Sequence, residues 1–279
     1  MRWLVVFWFC LFTGDLSAQG YYQKSVDAYR AMKYDSAFLY IETAVNYYRT
    51  QRMTDSLVLT YIQKADMVWS QKGIPSALAA IDSAIILARQ LPFKDPLHVA
   101  AFNKKGQILV HNKEPEKGKK YLLQALDHVD ANAAPNGIYA ALYNNLSWFF
   151  LELQNFTPAM DYAEKAKKIN EDLYGRNARQ LLGAYQSLMS IAHDAGWFSR
   201  AEQYGLELYR LGTLNLPASH PNMGLIHNEL GILYESMYRL DEALFHKQQM
   251  MHIIQQDYAK HKNPQLLAIA YNNMGSFYY

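Results

Sequence analysis

Hydrophobic residues recur along the chain at spacings of three and four, the period of one face of an amphipathic α-helix. Within this pattern a small residue returns at steps of 40 to 42 residues, at Ala37, Ala77, Gly118, Ala159, Ala201 and Ala243. A small side chain at a fixed interval marks a place where two helices approach closely. The pattern therefore predicts an all-α chain of stacked helix-turn-helix repeats.

The residues around each small position keep the same register. Seven residues further on lie Ala44, Ala84, Ala125, Ala166, Leu208 and Met250. Six of the nine prolines fall between the predicted repeats, and the other three fall in the predicted first turn of the second helix of a repeat. A proline in the first turn of a helix removes an N–H that has no partner there. The prolines therefore support the same helix boundaries.

Three segments show the repeat most clearly: Tyr143–Leu146, Leu230–Tyr234 with Asp241–Leu244, and Tyr271–Gly275. Their order of apolar–glycine pair, aromatic residue and alanine resembles the tetratricopeptide-repeat (TPR) family, whose period is 34 residues. The longer period here predicts longer helices rather than long loops, and in this the chain is similar to kinesin light chains and to bacterial CHAT-associated TPR proteins. The resemblance implies a right-handed α-solenoid superhelix of about thirteen helices.

The predicted domain organisation is a signal peptide, residues 1–18, followed by one TPR solenoid, residues 19–279. Six full repeats are predicted, at about 19–52, 54–93, 96–132, 137–175, 178–216 and 220–262. Residues 264–279 open a seventh repeat whose second helix is missing. Since solenoids usually end in a polar capping element, this predicts a longer chain.

Residues 1–18 have the pattern of a secretory signal peptide. Arg2 precedes an apolar run, Trp3–Phe12, that is too short to span a bilayer as a helix. Leu16–Ala18 predicts cleavage before Gln19, but Leu16 is larger than the small residue usual at that position, so the exact cleavage site stays open. The alternative is an N-terminal anchor that is not cleaved. Cleavage would remove Cys10, the one cysteine, and the mature chain would be exported, to the periplasm or the extracellular space.

The composition argues against several function classes. A net charge of +2 is too balanced to favour nucleic acid. There is no phosphate-cradling glycine motif and no Gly-x-Ser-x-Gly nucleophile motif. The dipeptide His193-Asp194 resembles half of a metal-dependent phosphohydrolase site, but no second set stands at a matching spacing. We therefore predict no catalytic residues, no metal, no cofactor and no membrane span in the mature chain.

Candidate binding residues lie on the first helix of each repeat. A carboxamide stands two residues before the apolar–small pair in five consecutive repeats, at Asn103, Asn144, Gln186, Asn228 and Asn272. The TPR resemblance implies that this face lines the concave groove, with Trp148, His193 and Glu235 beside it. Carboxamides both donate and accept hydrogen bonds, so a column of them can bind an extended peptide backbone. Alternatively, these amides bond each other or water.

The predicted function is a non-enzymatic protein–protein interaction scaffold that binds a partner peptide or helix in the concave groove. The alternative is the N-terminal sensory or recruiting region of a longer CHAT-type peptidase or TPR sensor kinase. A third hypothesis is an outer-membrane carbohydrate-uptake component. The regular repeat array and the lack of a lipid-attachment cysteine argue against it.

Overall fold

A computed structural model of the chain describes residues 16–130, 133–261 and 264–277. These residues contain thirteen α-helices, one short 3-10 helix (Arg179–Leu181) and no strand, so the all-α prediction is confirmed. The helices fall into two compact units, Met1–Asp130 and Ala131–Tyr279. The predicted signal peptide lies mostly outside the described residues; its last three residues, 16–18, begin the first helix.

Six helices belong to the first unit: α1 (Leu16–Arg30), α2 (Tyr34–Thr50), α3 (Thr54–Lys72), α4 (Ile74–Ala88), α5 (Pro96–His111) and α6 (Pro115–Asp127). Seven belong to the second: α7 (Gly137–Glu152), α8 (Phe156–Tyr174), α9 (Leu182–Asp194), α10 (Phe198–Asn215), α11 (Pro221–Ser236), α12 (Leu240–His261) and α13 (Pro264–Phe277). Odd-numbered helices are the A helices of the repeats and even-numbered helices are the B helices. Each A helix from α1 to α11 packs against the B helix that follows it, and α13 packs against α12, which precedes it.

The recurring small residues lie where A and B helices touch, as the sequence predicts. All six are buried, and the five alanines have no exposed surface. Between α5 and α6, a β-carbon added at Gly118 would lie 2.9 Å from the carbonyl oxygen of Gly106 and 2.6 Å from Cγ2 of Val110. Between α11 and α12, one added at Gly231 would lie 3.4 Å from the carbonyl oxygen of Ala243. These positions therefore set how closely the two helices of a repeat approach.

Several helices have the predicted extra length: α3 and α8 contain 19 residues each, α10 contains 18 and α12 contains 22. The second repeat combines its long α3 with a connection, 89–95, between α4 and α5 that the sequence analysis did not predict. Pro92 lies within this segment and Pro96 directly follows it, and the two prolines prevent α4 from continuing into α5. Asp95 then caps α5, accepting a hydrogen bond from the Leu97 amide at 2.9 Å.

Most A–B turns contain one residue in the left-handed backbone conformation, for example Lys113 (φ 60°) and Tyr238 (φ 57°). The following amide then reaches back to the last turn of the A helix, as in the 2.9 Å bond from the Arg239 amide to the Tyr234 carbonyl. This arrangement satisfies carbonyls that the helix end would otherwise leave unpaired. A bulky residue is strained in this conformation, which glycine adopts freely.

We expect Tyr238→Gly to raise the free energy of unfolding by roughly 0.5 to 1 kcal/mol. The relief of left-handed strain exceeds the entropy that glycine loses on folding. The Tyr238 side chain is 89% exposed, so little packing is lost. Urea denaturation measures the change. Leu153→Gly is the control, because Leu153 lies in another A–B turn at φ −83° and should be destabilised. A loss of stability in Tyr238→Gly would contradict the strain argument.

None of the helices in the described part of the chain has the length and hydrophobicity that a bilayer crossing requires.

Candidate functional site: the polar face of the A helices

The five predicted carboxamides occupy equivalent positions on five A helices, but in two different units. Asn103 lies on α5 in the first unit and is only 7% exposed. The other four lie in the second unit on α7, α9, α11 and α13: Asn144, Gln186, Asn228 and Asn272. Asn144, Gln186 and Asn228 are half-buried, whereas Asn272 is exposed. The described geometry therefore concerns mainly the second unit.

In the second unit three of the amides form a hydrogen bond with a residue on the next A helix. That residue directly follows the amide at the equivalent position of the next repeat. The three pairs are Asn144 with Ser187, Gln186 with Glu229, and Asn228 with Asn273. Ser187 Oγ donates to Asn144 Oδ1 at 2.8 Å, and Asn273 Nδ2 donates to Asn228 Oδ1 at 2.7 Å. We call these six residues the A-helix seam. Its hydrogen bonds connect consecutive repeats.

The seam shows that the amides stabilise the repeat array itself, as the alternative interpretation of the sequence allows. Contacts within the array nevertheless leave some of the amide hydrogen-bond donors unpaired in the described residues. The Nδ2 groups of Asn144 and Asn228 have no hydrogen-bond partner among the residues the structure describes. Each side chain can therefore hold the neighbouring helix with its oxygen and still donate to a ligand with its nitrogen.

Trp148 and His193 are fixed by contacts within the second unit. The half-buried Trp148 side chain packs against the hydrophobic core of that unit. His193 Nε2 lies 2.9 Å from the Ser236 hydroxyl on the next A helix, and Nδ1 lies 3.0 Å from the Asp194 carboxylate. His193 therefore extends the inter-repeat polar contacts beyond the seam.

Glu235 forms an ion pair with a lysine that the sequence analysis did not single out. Lys247 Nζ lies 2.6 Å from Glu235 Oε2 and donates to the Asn273 carbonyl at 3.1 Å. The lysine is 1% exposed, and Gly231 on α11 leaves room for its aliphatic stem. Its position four residues after Ala243 places it on the inward face of α12, the one feature that could have revealed it. Glu235 thus has a structural partner.

Glu229 is the buried carboxylic acid of the seam, also missed by the sequence analysis. Gln186 Nε2 donates to its Oε1, while its buried Oε2 has no partner among the described residues. Burial raises its pKa to about 7, and the Gln186 hydrogen bond offsets only part of this effect. The column of residues after the amides (Asn145, Ser187, Glu229, Asn273) is polar throughout, and this pattern could have found it.

Several solved structures share the fold of this chain. BtubC (BKLC) from P. vanneervenii matches 90% of this chain and 96% of its own chain, with 17% identity and a TM-score of 0.67. The nearly identical kinesin light chain TPR-like repeats from Podosopora anserina match 73% of this chain and 97% of theirs, with 13% identity and a TM-score of 0.60. The chain has the tetratricopeptide-repeat fold.

A third similar structure carries TPR repeats within a larger protein. It is a signal transduction ATPase with numerous domains and a TPR sensor, from Pyrococcus horikoshii. It is 11% identical, with a TM-score of 0.65 over 93% of this chain and 38% of its own length. No protein-family model and no curated protein matches the sequence of this TPR chain.

The second unit of the TPR array also encloses a histidine pair. His227 Nδ1 lies 2.8 Å from His246 Nδ1, between α11 and α12. Burial, together with the neighbouring His227, lowers the pKa of His246 to about 4, and burial also lowers the pKa of His227. At this distance one neutral ring donates its Nδ1–H to the unprotonated Nδ1 of the other ring. Across the described ranges, no three His, Cys, Asp or Glu side chains are grouped as a metal site requires.

Proposed function

We propose that this TPR chain is a non-enzymatic protein-interaction scaffold. An extended segment of a partner protein would lie along the A helices of the second unit, with Asn272 at the end of the row of amides. The proposal rests on the paired use of Asn144 and Asn228, whose oxygens bind the next helix while their Nδ2 groups keep free donors. An extended backbone offers carbonyl acceptors to such donors regardless of its sequence.

Selectivity would come from side chains beside the amides. The proposed groove includes the aromatic Trp148, the imidazole of His193 and the carboxylate of Glu235, with Ile232 36% exposed among them. This mixture of apolar and polar groups suits a partner segment with alternating apolar and polar side chains. The repeat array provides rigidity, which reduces the ordering cost of binding.

The experiment separates the two roles of the amides. In Asn144→Asp/Asn228→Asp the oxygens still accept from Ser187 and Asn273, while both free donors are lost. We expect the affinity for a partner identified from the native extract to fall at least about tenfold with little loss of stability. In Asn144→Ala/Asn228→Ala we expect the same loss of affinity and a free energy of unfolding lower by about 2 kcal/mol.

The matched control adds the same charge elsewhere. Gln203 and Gln248 are exposed on the B helices α10 and α12, and Gln203→Glu/Gln248→Glu adds two carboxylates without touching the seam. This variant should bind the partner as the wild type does. Equal affinity in the Asp double variant and the wild type would show that the amides serve the fold alone.

The alternative function is a sensory or recruiting region within a longer enzyme. The similarity to an ATPase with a TPR sensor supports it, since an array of this size forms part of a larger signalling protein there. The full coding sequence distinguishes the two, because a kinase or CHAT-type peptidase domain after residue 279 would favour the alternative.

We also propose that the chain is exported and that residues 1–18 are removed. The pattern of residues 1–18 supports this. Intact mass measurement of the protein from fractionated cells tests it, and a chain that begins at Met1 in the cytoplasmic fraction would contradict it.

A further inference from the structure

The first unit contains a cleft of about 350 Å³, far from the seam in sequence. It forms where the connection 89–95 passes the start of α5 and the end of α6. Six residues line it: Arg89, Leu91, Phe93, His98, Phe102 and His128. Its volume is at the lower end of the range for small-molecule sites, which suits a ligand built around a single ring.

Flat rings form the walls of the cleft. The His98 and His128 rings are stacked at 4.4 Å with an angle of 5° between their planes. Phe102 lies 5.4 Å from His128 at 8°, and Phe93 lies 4.3 Å from His128 with the two ring planes tilted by 45°. Because rings at these distances already touch, they form one continuous aromatic wall, against whose exposed side another aromatic ring can pack.

Two sets of hydrogen bonds fix the position of the walls of the cleft. His128 Nδ1 donates to the Phe93 carbonyl at 2.5 Å. Lys94 Nζ donates to the carbonyls of Asp127 and Val129 at 2.6 and 3.0 Å. Both sets join the connection 89–95 to the C-terminal end of α6. A ligand would therefore enter a site whose walls are already in place, which lowers the cost of binding.

Arg89 is the charged residue that lines the cleft, and Lys94 and Asp95 lie beside the lining residues Phe93 and His98. Arg89 is exposed and has no ion-pair partner among the described residues, and none of the lining residues is acidic. His98 is 4% exposed, and burial lowers its pKa, so its ring is neutral at pH 7. His98 Nε2 faces the Leu91 carbonyl at 3.4 Å, while the buried Nδ1 has no partner in the described part of the chain.

We propose that this cleft binds an aromatic ring that carries a carboxylate, with the ring packed on the exposed face of Phe93 and the carboxylate on Arg89. A guanidinium binds a carboxylate in a bidentate geometry, which fixes the orientation of the ring. The same chemistry is found in a free aromatic acid and in the C-terminal aromatic residue of a protein. The inference is independent of the proposed use of the A-helix seam.

Calorimetric titration with 3-phenylpropionate, and with its uncharged amide as the matched ligand, tests the proposal. We expect the acid to bind the wild-type protein with a Kd below about 1 mM and the amide to bind at least about tenfold more weakly. Arg89→Ala should weaken the acid about tenfold and leave the amide unchanged. Phe93→Ala should weaken both ligands. Both residues are exposed, so both variants should fold, and circular dichroism checks this.

Arg176→Ala is the control, because Arg176 is an exposed arginine of the second unit, and it should bind the acid as the wild type does. A short peptide that ends in phenylalanine identifies the source: tighter binding than the free acid indicates a protein C-terminus, and weaker binding indicates a small acid. No binding of the acid up to about 10 mM, equal binding of acid and amide, or an unchanged affinity in Arg89→Ala would each overturn the proposal.

Discussion

Replacing Gly118 with alanine is expected to destabilise the protein by about 3 kcal/mol, although alanine is the better helix-forming residue. The added methyl group would lie 2.6 Å from Cγ2 of Val110 and 2.9 Å from the Gly106 carbonyl oxygen. Valine in a helix has essentially one side-chain rotamer, and the carbonyl belongs to the backbone. Neither atom can move away cheaply, so α5 and α6 must separate.

The control is the same substitution at a glycine with free space. Gly20 lies in α1, and a β-carbon there meets nothing within 4 Å. Gly20→Ala should therefore raise the free energy of unfolding by up to about 1 kcal/mol. Urea denaturation followed by circular dichroism measures both variants. Equal effects of the two substitutions would mean that helix contact does not set the 40-residue register.

The helix pairs could be predicted from the sequence because their contacts follow a fixed spacing. The position of Ala243 relative to Gly231 depends only on the turn between α11 and α12, and the small residues record this contact directly. The prolines locate the helix starts at Pro96, Pro115 and Pro221 in the same local way. Properties of a single repeat were therefore accessible from one sequence.

The contacts between repeats were harder to predict. The amide row was visible, but its pairing with the following residue on the next helix depends on how far neighbouring A helices are shifted along their axes. Glu229 and Lys247 were missed for another reason. Charged residues are rarely buried, so a sequence pattern assigns them to the surface by default. The packing shows that α11 and α13 enclose the lysine, which lies on α12.

The cleft in the first unit is the least predictable feature. His98 and His128 are thirty residues apart, His98 in α5 and His128 directly after α6, and no motif connects them. They meet because the connection 89–95 is bonded to the end of α6 through Lys94 and Phe93. The sequence analysis expected longer helices in place of such a connection, and it therefore gave no reason to examine this region.

Replacing Glu229 with glutamine is expected to change how stability depends on pH. The pKa of Glu229 is about 7 in the folded protein, against an ordinary value of 4.5. Between these pH values the folded protein holds a proton that the unfolded chain has released, so stability falls as pH rises from 4.5 to 7. The difference between the two pKa values corresponds to about 3 kcal/mol. Glu229→Gln should remove this loss, because glutamine has the shape of the protonated acid.

The histidine pair also changes how the free energy of unfolding depends on pH. The pKa of His246 is about 4 in the folded protein against 6.5, so the unfolded chain binds the additional proton and stability rises with pH in that range. Burial also lowers the pKa values of His98 and His227, so these histidines act in the same direction as His246. In the wild type the Glu229 effect opposes the histidines, and the free energy of unfolding should rise less between pH 4.5 and 6.5 than in Glu229→Gln. In Glu229→Gln the histidines act without this opposition, so stability should rise over this range and exceed that of the wild type above pH 7.

Urea denaturation at pH 4.5, 6 and 8, followed by tryptophan fluorescence, tests both parts of this prediction. Glu152→Gln is the matched control, since Glu152 is an exposed glutamate on α7 in the same unit. Its pH profile should follow that of the wild type. If Glu229→Gln is instead less stable than the wild type at pH 8, Glu229 is needed in its charged form. The Gln186–Glu229 hydrogen bond would then stabilise the seam more than burial of the carboxylate destabilises it.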